Sequence, residues 1–492
     1  MFNLKLAGMK IFGKSFITGI LCILTADMGL LGQDYDIQVI REFNVGSEIG
    51  TLRAVTVQLP GKTRGILVVY SADKEIDPWI EMFYPPTDHL KFVMFDLEGK
   101  EIWRKELEDM TLNGVWFTPV FPFDLDGDGV DEIWFVRNTD PYHPLGYSHY
   151  RLEKLDAATG RSMGQYPWPR TVSNEPLSHT FRNFILGAHI RGKPVLLTAQ
   201  GTYGRMGIQA WNPGMEQRWE LEIGREEPGA RGSHMCPIVD IDMDGIDELM
   251  WGERCINLDR GAYVFIADLQ QYRGHSDVVQ PVWNYREGKW YLYTCRETGE
   301  DGSIRPRVVM FDDRGERVWH DLEKGHMDLG WTAQVEDERG SLAYTISRGG
   351  KTAGPQGFYR ENVVEYGYET FTGKPVRLPF PSYLTIPVDL DGDGYHEFAR
   401  AAGEQADRKI YDIQGNIIGD IGGSGYLAMA SRFMDLPGEQ LLCYYPDGTV
   451  KVWADKNASE SPRARSRYEH PFYRANMILT ATGYNLVVLG GI

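Results

Sequence analysis

Cysteine is scarce, with five in 492 residues, too few and too scattered for a dense disulfide framework. After the first two dozen positions no run approaches the twenty apolar residues that a membrane-spanning helix needs. No Pro-, Gly- or Ser-rich linker divides the chain, and the 55 glycines keep no triplet period, which excludes a collagen. Positive charge is short too. Lys and Arg number 51 against 69 Asp and Glu, a formal net charge of −18. A general nucleic-acid binder is thereby excluded, because nothing would neutralise the phosphates. The same excess repels acidic polysaccharides at long range, so such a substrate needs a local basic pocket. Aromatic residues make up 12% of the chain, which excludes disorder.

What is present begins with a leader. Residues 1–32 read as a secretory signal peptide, with Lys10 and Lys14 before the apolar run Phe16–Leu24 and a cleavage zone over Ala26–Gly32. The expected location is secreted or periplasmic, with residues 33–492 forming a single domain. Cys236, Cys255, Cys295 and Cys443 then remain, as one or two bridges or four free thiols.

Internal repetition decides the fold. One unit is a hairpin with Gly at its turn, as in Met94-Phe95-Asp96-Leu97-Glu98-Gly99-Lys100-Glu101-Ile102-Trp103 and in Met310–Trp319. Weaker copies turn at Gly160, Gly214, Gly261, Gly373, Gly415 and Gly448. A second unit of two strongly apolar strands precedes each hairpin: Leu52–Tyr70, Trp116–Val136, Phe181–Ala199, His234–Trp251, Ser276–Thr294, Met327–Ile346, Leu384–Ala399 and Leu427–Tyr444. Four antiparallel strands repeated about every fifty residues make an all-β chain, a β-propeller. Eight blades are expected, seven or nine being the alternatives. The leftover segments Tyr35–Val45 and Asn476–Gly490 are expected to pair and close the ring, and no helix of note is expected.

Three inner turns carry alternating aspartates: Asp124, Asp126, Asp128, Asp131 and Glu132; Asp240, Asp242, Asp244, Asp247 and Glu248; and Asp389, Asp391, Asp393 and Glu397, where His396 takes an acidic position. Hard oxygen donors at this spacing, with Gly permitting the sharp turn, suit Ca²⁺. The expected calcium is structural, and the competing reading is a metal-free Asp/Gly turn.

Three histidines recur in register before the first strands of consecutive blades: Arg231-Gly232-Ser233-His234, Arg273-Gly274-His275 and Lys324-Gly325-His326. Equivalent positions on neighbouring blades share a height around the channel, so a sector with three imidazoles and three cations is expected. Tyr203 and Arg205 enter from the adjacent blade, as does His179. Asp277 and Asp328 follow two of the histidines and suit the role of orienting them. This set suits β-elimination from a uronate polymer. The expected catalytic groups are His275, His326, His234 and Tyr203, with Arg231, Arg273, Arg254, Lys324 and Arg205 on the carboxylate. Alternatively the histidines are cross-blade caps. A zinc cluster of His234 with Cys236, Cys255 and Cys295 is a weaker reading. Trp116, Trp331, Tyr383 and Tyr426 stand at blade entrances, as sugar platforms or as packing.

Asp240–Gln280, with its calcium loop, Trp251-Gly252-Glu253 and Gly274-His275-Ser276-Asp277, resembles the family 11 rhamnogalacturonan lyases, built on calcium-loop repeats of FG-GAP type. Tyr473-Arg474 through Thr482-Gly483-Tyr484-Asn485 is similar to the ending of those enzymes. The resemblance implies an eight-bladed, Ca²⁺-binding propeller that cleaves rhamnose–galacturonate backbones by elimination. Three features depart from the family: blades begin near residue 50 where members carry a β-sandwich region, only three calcium loops are kept where members have more, and Leu486-Val487-Val488 replaces the family's Asn-Gln-Pro-Pro-His. Ulvan-like polymers are alternative substrates. The expected activity is that of a secreted polysaccharide lyase on an acidic polysaccharide, as a monomer without nucleic acid or membrane span. The alternative is a non-catalytic calcium-binding propeller that binds carbohydrate or protein. A quinone-dependent dehydrogenase is a third reading, from Leu155–Gly160.

Overall fold

In a computed structural model, which describes residues 34–169, 175–297, 306–354, 357–479 and 486–492, the chain from Tyr35 onward forms eight four-stranded antiparallel sheets. They are the eight blades of a β-propeller. The leader and the Thr482–Asn485 stretch lie outside the described residues. Blade 1 runs Thr51–Leu59, Thr63–Ser71, Leu90–Asp96 and Glu101–Leu107. Blades 2 to 8 open with Val120–Phe123, Asn183–Ile190, Ile238–Val239, Ser276–Asn284, His326–Gln334, Ile386–Val388 and Tyr426–Ser431. First and second strands are buried on both faces and read as near-continuous apolar runs, whereas the fourth strands alternate. All eight double-strand units foreseen from the sequence are found.

Ring closure differs from expectation. The N-terminal strand Ile37–Asn44 pairs antiparallel with Thr449–Asp455, from Ile37 opposite Asp455 to Asn44 opposite Thr449. It is the fourth strand of blade 8, so Gly448 turns between that blade's second and third strands and not in an outer hairpin. The segment from Asn476 does not pair with it. Two short helices, Pro462–Glu469 and Pro471–Met477, instead lead to a tail packed against the first strands of blades 5 and 6. Ser461 and His470 cap these helices and each has a proline at its first turn. Among the described residues no helix is long and apolar enough to cross a membrane.

Adjacent blades are fastened by one recurring contact. Trp103, Trp219 and Trp319, on the fourth strands of blades 1, 3 and 5, lie over the turn glycine of the next blade. Each donates its indole N–H to a backbone carbonyl there: Ala157, Leu258 and Thr370, at 2.7, 2.7 and 2.8 Å. Phe43 and Phe265 cover Gly99 and Gly315 in the same way. Gly261 has φ +63°, and a Cβ there would meet Trp219 Cδ2 at 2.6 Å. The glycine therefore meets two demands, a left-handed turn and a flat seat for the ring. All four described cysteines are buried free thiols, and burial pushes Cys295 up to about 12.

Gly261→Ala and Gly214→Ala separate the two demands. Gly214 has φ +85°, and a Cβ there would have nothing within 4 Å, so its substitution costs about 1 kcal/mol of backbone strain. Gly261→Ala adds about 1–3 kcal/mol of overpacking. Denaturant midpoints should order wild type, Gly214→Ala, Gly261→Ala; equal losses would refute the seat.

Candidate active site

The three in-register histidines do converge, and the backbone shows why. The turn carrying Arg231–His234 is zipped to the start of blade 5 by Arg231 N–H to Gly274 O, 2.7 Å, Ser276 N–H to Gly232 O, 3.4 Å, and a parallel bridge between Ser233 and Ser276. Five rings then follow one another in a row, the first three stacked and the next pair edge-on. Centroids are 5.2 Å apart for His179 and Tyr203, 4.2 Å for Tyr203 and His275, 4.4 Å for His275 and His234, and 4.9 Å for His234 and Trp116.

The two family-like stretches brace this row from behind. Glu253 is fully buried, accepts the Ser276 hydroxyl at 2.9 Å and pairs with Arg296 at 3.0 Å. Arg296 also pairs with Asp268 at 2.7 Å, and its guanidinium lies 3.9 Å from the Tyr272 ring centroid. Tyr272 donates its hydroxyl to His275 O at 2.6 Å. The Trp-Gly-Glu and Gly-His-Ser-Asp stretches are therefore halves of one buried network that aims His275 and Asp277.

Carboxylates gather around the imidazoles. Asp277 Oδ1 is 3.3 Å from His234 Nε2 and 3.8 Å from His275 Nε2. His326 Nε2 is 3.0 Å from Glu297 Oε1 and 3.3 Å from Asp328 Oδ1. Asp328 is further ringed by Arg348, Lys351 and Arg360. Burial alone would lower the His326 pKa, but the Asp328 and Glu297 carboxylates hold it above the ordinary imidazole value. His234 goes well below that value through burial and the neighbouring His275. His275 is lowered to about 4 by burial. Burial keeps the Tyr203 hydroxyl protonated, raised well above the usual phenol.

This cluster opens into a polar pocket of about 270 Å³. Its walls carry Tyr203, His234, His326 and Glu297, with Arg182, Arg348 and Lys351 as cations and Trp79 and His179 at the side. Asp277 and Asp328 also border a larger cavity of about 340 Å³, walled by Trp331, Tyr344, Tyr383 and Tyr426, with Leu486 and Val487 lining it. All four aromatics suggested from the sequence line this cavity: Trp331, Tyr383 and Tyr426 together with Trp116, whose indole is buried against His234.

The cations expected to hold substrate lie elsewhere. Arg231 is buried and spends its guanidinium on the carbonyls of Gly224, Arg225 and Glu227. Arg254 is buried on Ala230 O, Pro228 O and Glu227. Arg273 reaches Glu226 at 3.0 Å, Arg205 pairs with Glu222, and Lys324 is exposed. Their places are taken by Arg182, after the short helix Leu177–Thr180, by Arg348, the last residue of blade 6's second strand, and by Lys351, in an extra hairpin of that blade (Gly350–Gly354 with Gly357–Glu361). His275 is the other correction. It lies fully buried beneath Tyr203 and cannot touch a polymer. His179 moves the opposite way in rank: it lines the pocket, with Glu175 Oε2 3.4 Å behind its Nδ1.

Two kinds of metal-type donor set are assembled. His234, His275 and Asp277 bring one donor atom each within 4.8 Å of one another. His275 Nε2 and Asp277 Oδ1 are buried without a hydrogen-bond partner, as the donors of a divalent cation would be. Among the described residues no such donor group includes a cysteine, which overturns the zinc cluster with Cys236, Cys255 and Cys295. The second kind is the aspartate loops, where Asp124, Asp126 and Asp128 converge, as do Asp240, Asp242 and Glu248, and Asp389, Asp391 and Asp393.

The later acids of these loops also have other partners. Asp131 accepts Gln58 N–H at 2.6 Å and Asp247 accepts His189 N–H at 2.6 Å, each from the preceding blade. His396 Nδ1 accepts Gln334 N–H at 3.0 Å in the same way. Glu132, Glu248 and Glu397 accept the N–H of the second loop residue, at 3.0, 3.1 and 2.8 Å. Asp244 accepts Ile246 N–H at 2.8 Å.

Comparison with known proteins agrees with the resemblance read from the sequence. No family model matches the chain. It is 23% identical over 341 residues to the rhamnogalacturonan exolyase YesX of Bacillus subtilis (strain 168), covering 61% of this chain and 52% of that protein. To the rhamnogalacturonan endolyase YesW of the same organism it is 26% identical over 216 residues, covering 38% and 34%. The match thus spans about half or less of these curated relatives. The solved structure of YesX superposes with a TM-score of 0.72 at 18% identity, over 90% of this chain and 80% of that one. A Bacillus licheniformis rhamnogalacturonan lyase gives 0.68 at 16%, over 92% and 80%. At these identities the superpositions show the fold.

Glu253→Ala tests the brace. Removing one member of a buried ion pair costs about 3–5 kcal/mol, and the retained Asp268 partner places this case near the lower end. Equilibrium denaturation should show that loss together with weakened protection of the Ser276 amide. A change below about 1 kcal/mol would mean that the network does not hold the site.

Proposed function

We propose that the protein is a secreted or periplasmic polysaccharide lyase that cuts rhamnose–uronate backbones, of rhamnogalacturonan type, by β-elimination. One observation carries the reading: a polar pocket on an acidic protein that sets imidazole and phenol groups among three cations, Arg182, Arg348 and Lys351. The names of its relatives support it, both being rhamnogalacturonan lyases.

The cations neutralise the uronate carboxylate and thereby acidify the proton at C5. A base removes that proton, the electrons form the C4–C5 double bond, the C4–O bond breaks, and an acid protonates the departing oxygen. His179, oriented by Glu175, has the arrangement of the base. His326, whose pKa the Asp328 and Glu297 carboxylates raise, takes the part of the acid rather than the base. A divalent cation on His234, His275 and Asp277 would add positive charge against the carboxylate. Ca²⁺ on the three aspartate loops would be structural, stiffening inner turns rather than touching substrate.

The test is the ultraviolet absorbance of unsaturated uronate while the calcium-loaded protein acts on a panel of uronate polysaccharides. A rise on rhamnogalacturonan is expected, with kcat falling about 10²- to 10⁴-fold in His179→Ala and His326→Gln while both variants melt as wild type. A flat trace across the panel from folded protein would leave the non-catalytic propeller that binds carbohydrate or protein.

A further inference from the structure

The third aspartate loop differs from the other two in what lies over it. Asp126, Asp128, Asp242 and Asp244 are exposed, whereas Asp389 and Asp391 are buried, at 0% and 3% exposure. The covering is the C-terminal segment. Ser459 N–H donates to Asp391 O at 2.8 Å, Ser461 N–H to Gly392 O at 2.8 Å, and the Ser461 hydroxyl to Asp393 O at 2.7 Å. Arg463 Nε donates to Gly394 O at 3.0 Å and the Tyr468 hydroxyl to Asp389 Oδ2 at 2.6 Å. Among the described residues no corresponding segment covers the exposed loops.

The same segment reaches the cavity beside the pocket. Arg467, on the helix over the loop, donates to Ile492 O at 2.8 Å and Leu489 O at 3.1 Å. Gln280 and Gln334, on the first strands of blades 5 and 6, donate to Val487 O at 3.0 Å and Gly491 O at 3.3 Å. Leu486 and Val487 line the cavity itself. At the other end of this chain of contacts, Asp391 Oδ2 is buried without a hydrogen-bond partner, within a set of three converging carboxylates. A buried oxygen left unsatisfied is costly, and three ionised carboxylates at that spacing repel, a repulsion that a cation among them relieves.

We propose that the third loop is a calcium-operated clamp: a hard divalent cation on Asp389, Asp391 and Asp393 fixes the segment from Ser459 onward and so sets the wall of the cavity formed by Leu486 and Val487. This deepens the reading above, for it rests on the calcium loops and concerns the cavity bordering the same site. The cation removes the repulsion within the loop, the loop carbonyls hold the capping helices, and the helices hold the tail. Calcium at the first two loops has no such reach.

Hydrogen exchange of the full chain, with calcium and after chelation, tests this without any turnover. Chelation should speed exchange about tenfold or more in Ser459–Leu479 and Leu486–Ile492, and calcium should restore protection. Asp391→Asn should exchange fast in both conditions, whereas Asp242→Asn should keep the calcium-dependent protection of this segment. Equal protection with and without calcium in wild type would overturn the clamp, as would an Asp242→Asn variant that loosens the tail as much. If Asp391→Asn does not fold, the wild-type comparison decides. A protein that cleaves no polysaccharide would leave this readout untouched.

Discussion

An aromatic ring from one blade lying on the bare backbone of the next is the contact on which the molecule depends. A blade buries its own two faces only against neighbours, so every blade needs the next in a fixed orientation. At five of the eight junctions an aromatic–glycine seat supplies it: the ring fills the space a side chain would take, and at the three Trp seats the indole N–H also settles a turn carbonyl that would otherwise be buried without a partner. The acidic or imidazole group at the eighth loop position does the same nearer the axis, joining blades 1 and 2, 3 and 4, and 6 and 7. Contacts at two radii hold these neighbouring blades in register. On such a frame, His234, His275 and His326 are brought together though each belongs to a separate sheet.

The fold was legible because its signals are local and periodic. Buried two-strand runs and glycine turns recur, and reading them needs no long-range information. Gly448 shows the limit: a turn signal reports that two strands meet, not which two of the four they are. The missing fourth strand is supplied by Ile37–Asn44, whose partner lies some four hundred residues away. The two C-terminal helices were marked in the chain by Ser461-Pro462 and His470-Pro471, but their length, eight and seven residues, gives little amphipathic periodicity to notice.

For the site, register found the imidazoles and missed the cations for one reason. His326 opens a strand and His275 immediately precedes one, so the pleat fixes their direction. Arg231, Arg273 and Lys324 sit in the turns before, where no alternation governs where a side chain goes, and local carbonyls and carboxylates claimed the first two. The cations that do face the pocket come from the loop after a short helix (Arg182), from the end of blade 6's second strand (Arg348) and from an extra hairpin outside the repeat (Lys351). Glu253 was visible as part of a motif, but only the fold shows that its partner is Arg296, 43 positions on. Neutral, protonated and ion-paired groups then coexist within a few ångströms, because burial and neighbouring charge act differently on each.

The borrowed strand of blade 8 has a consequence for how the ring forms. Seven blades are made from contiguous chain, and each can assemble from contacts within some fifty residues. The eighth waits for segments hundreds of residues apart, the slowest kind of pairing to reach, although the entropic cost of so long a closure grows only with its logarithm. Until then the molecule is an open arc with an unfilled sheet edge at Thr449–Asp455 and an uncovered Gly99 at the other end. A second arc can offer the same strand to that edge, so at high concentration self-closure competes with strand exchange between copies. Dilution therefore favours closure of the ring by its own N-terminal strand over exchange between copies.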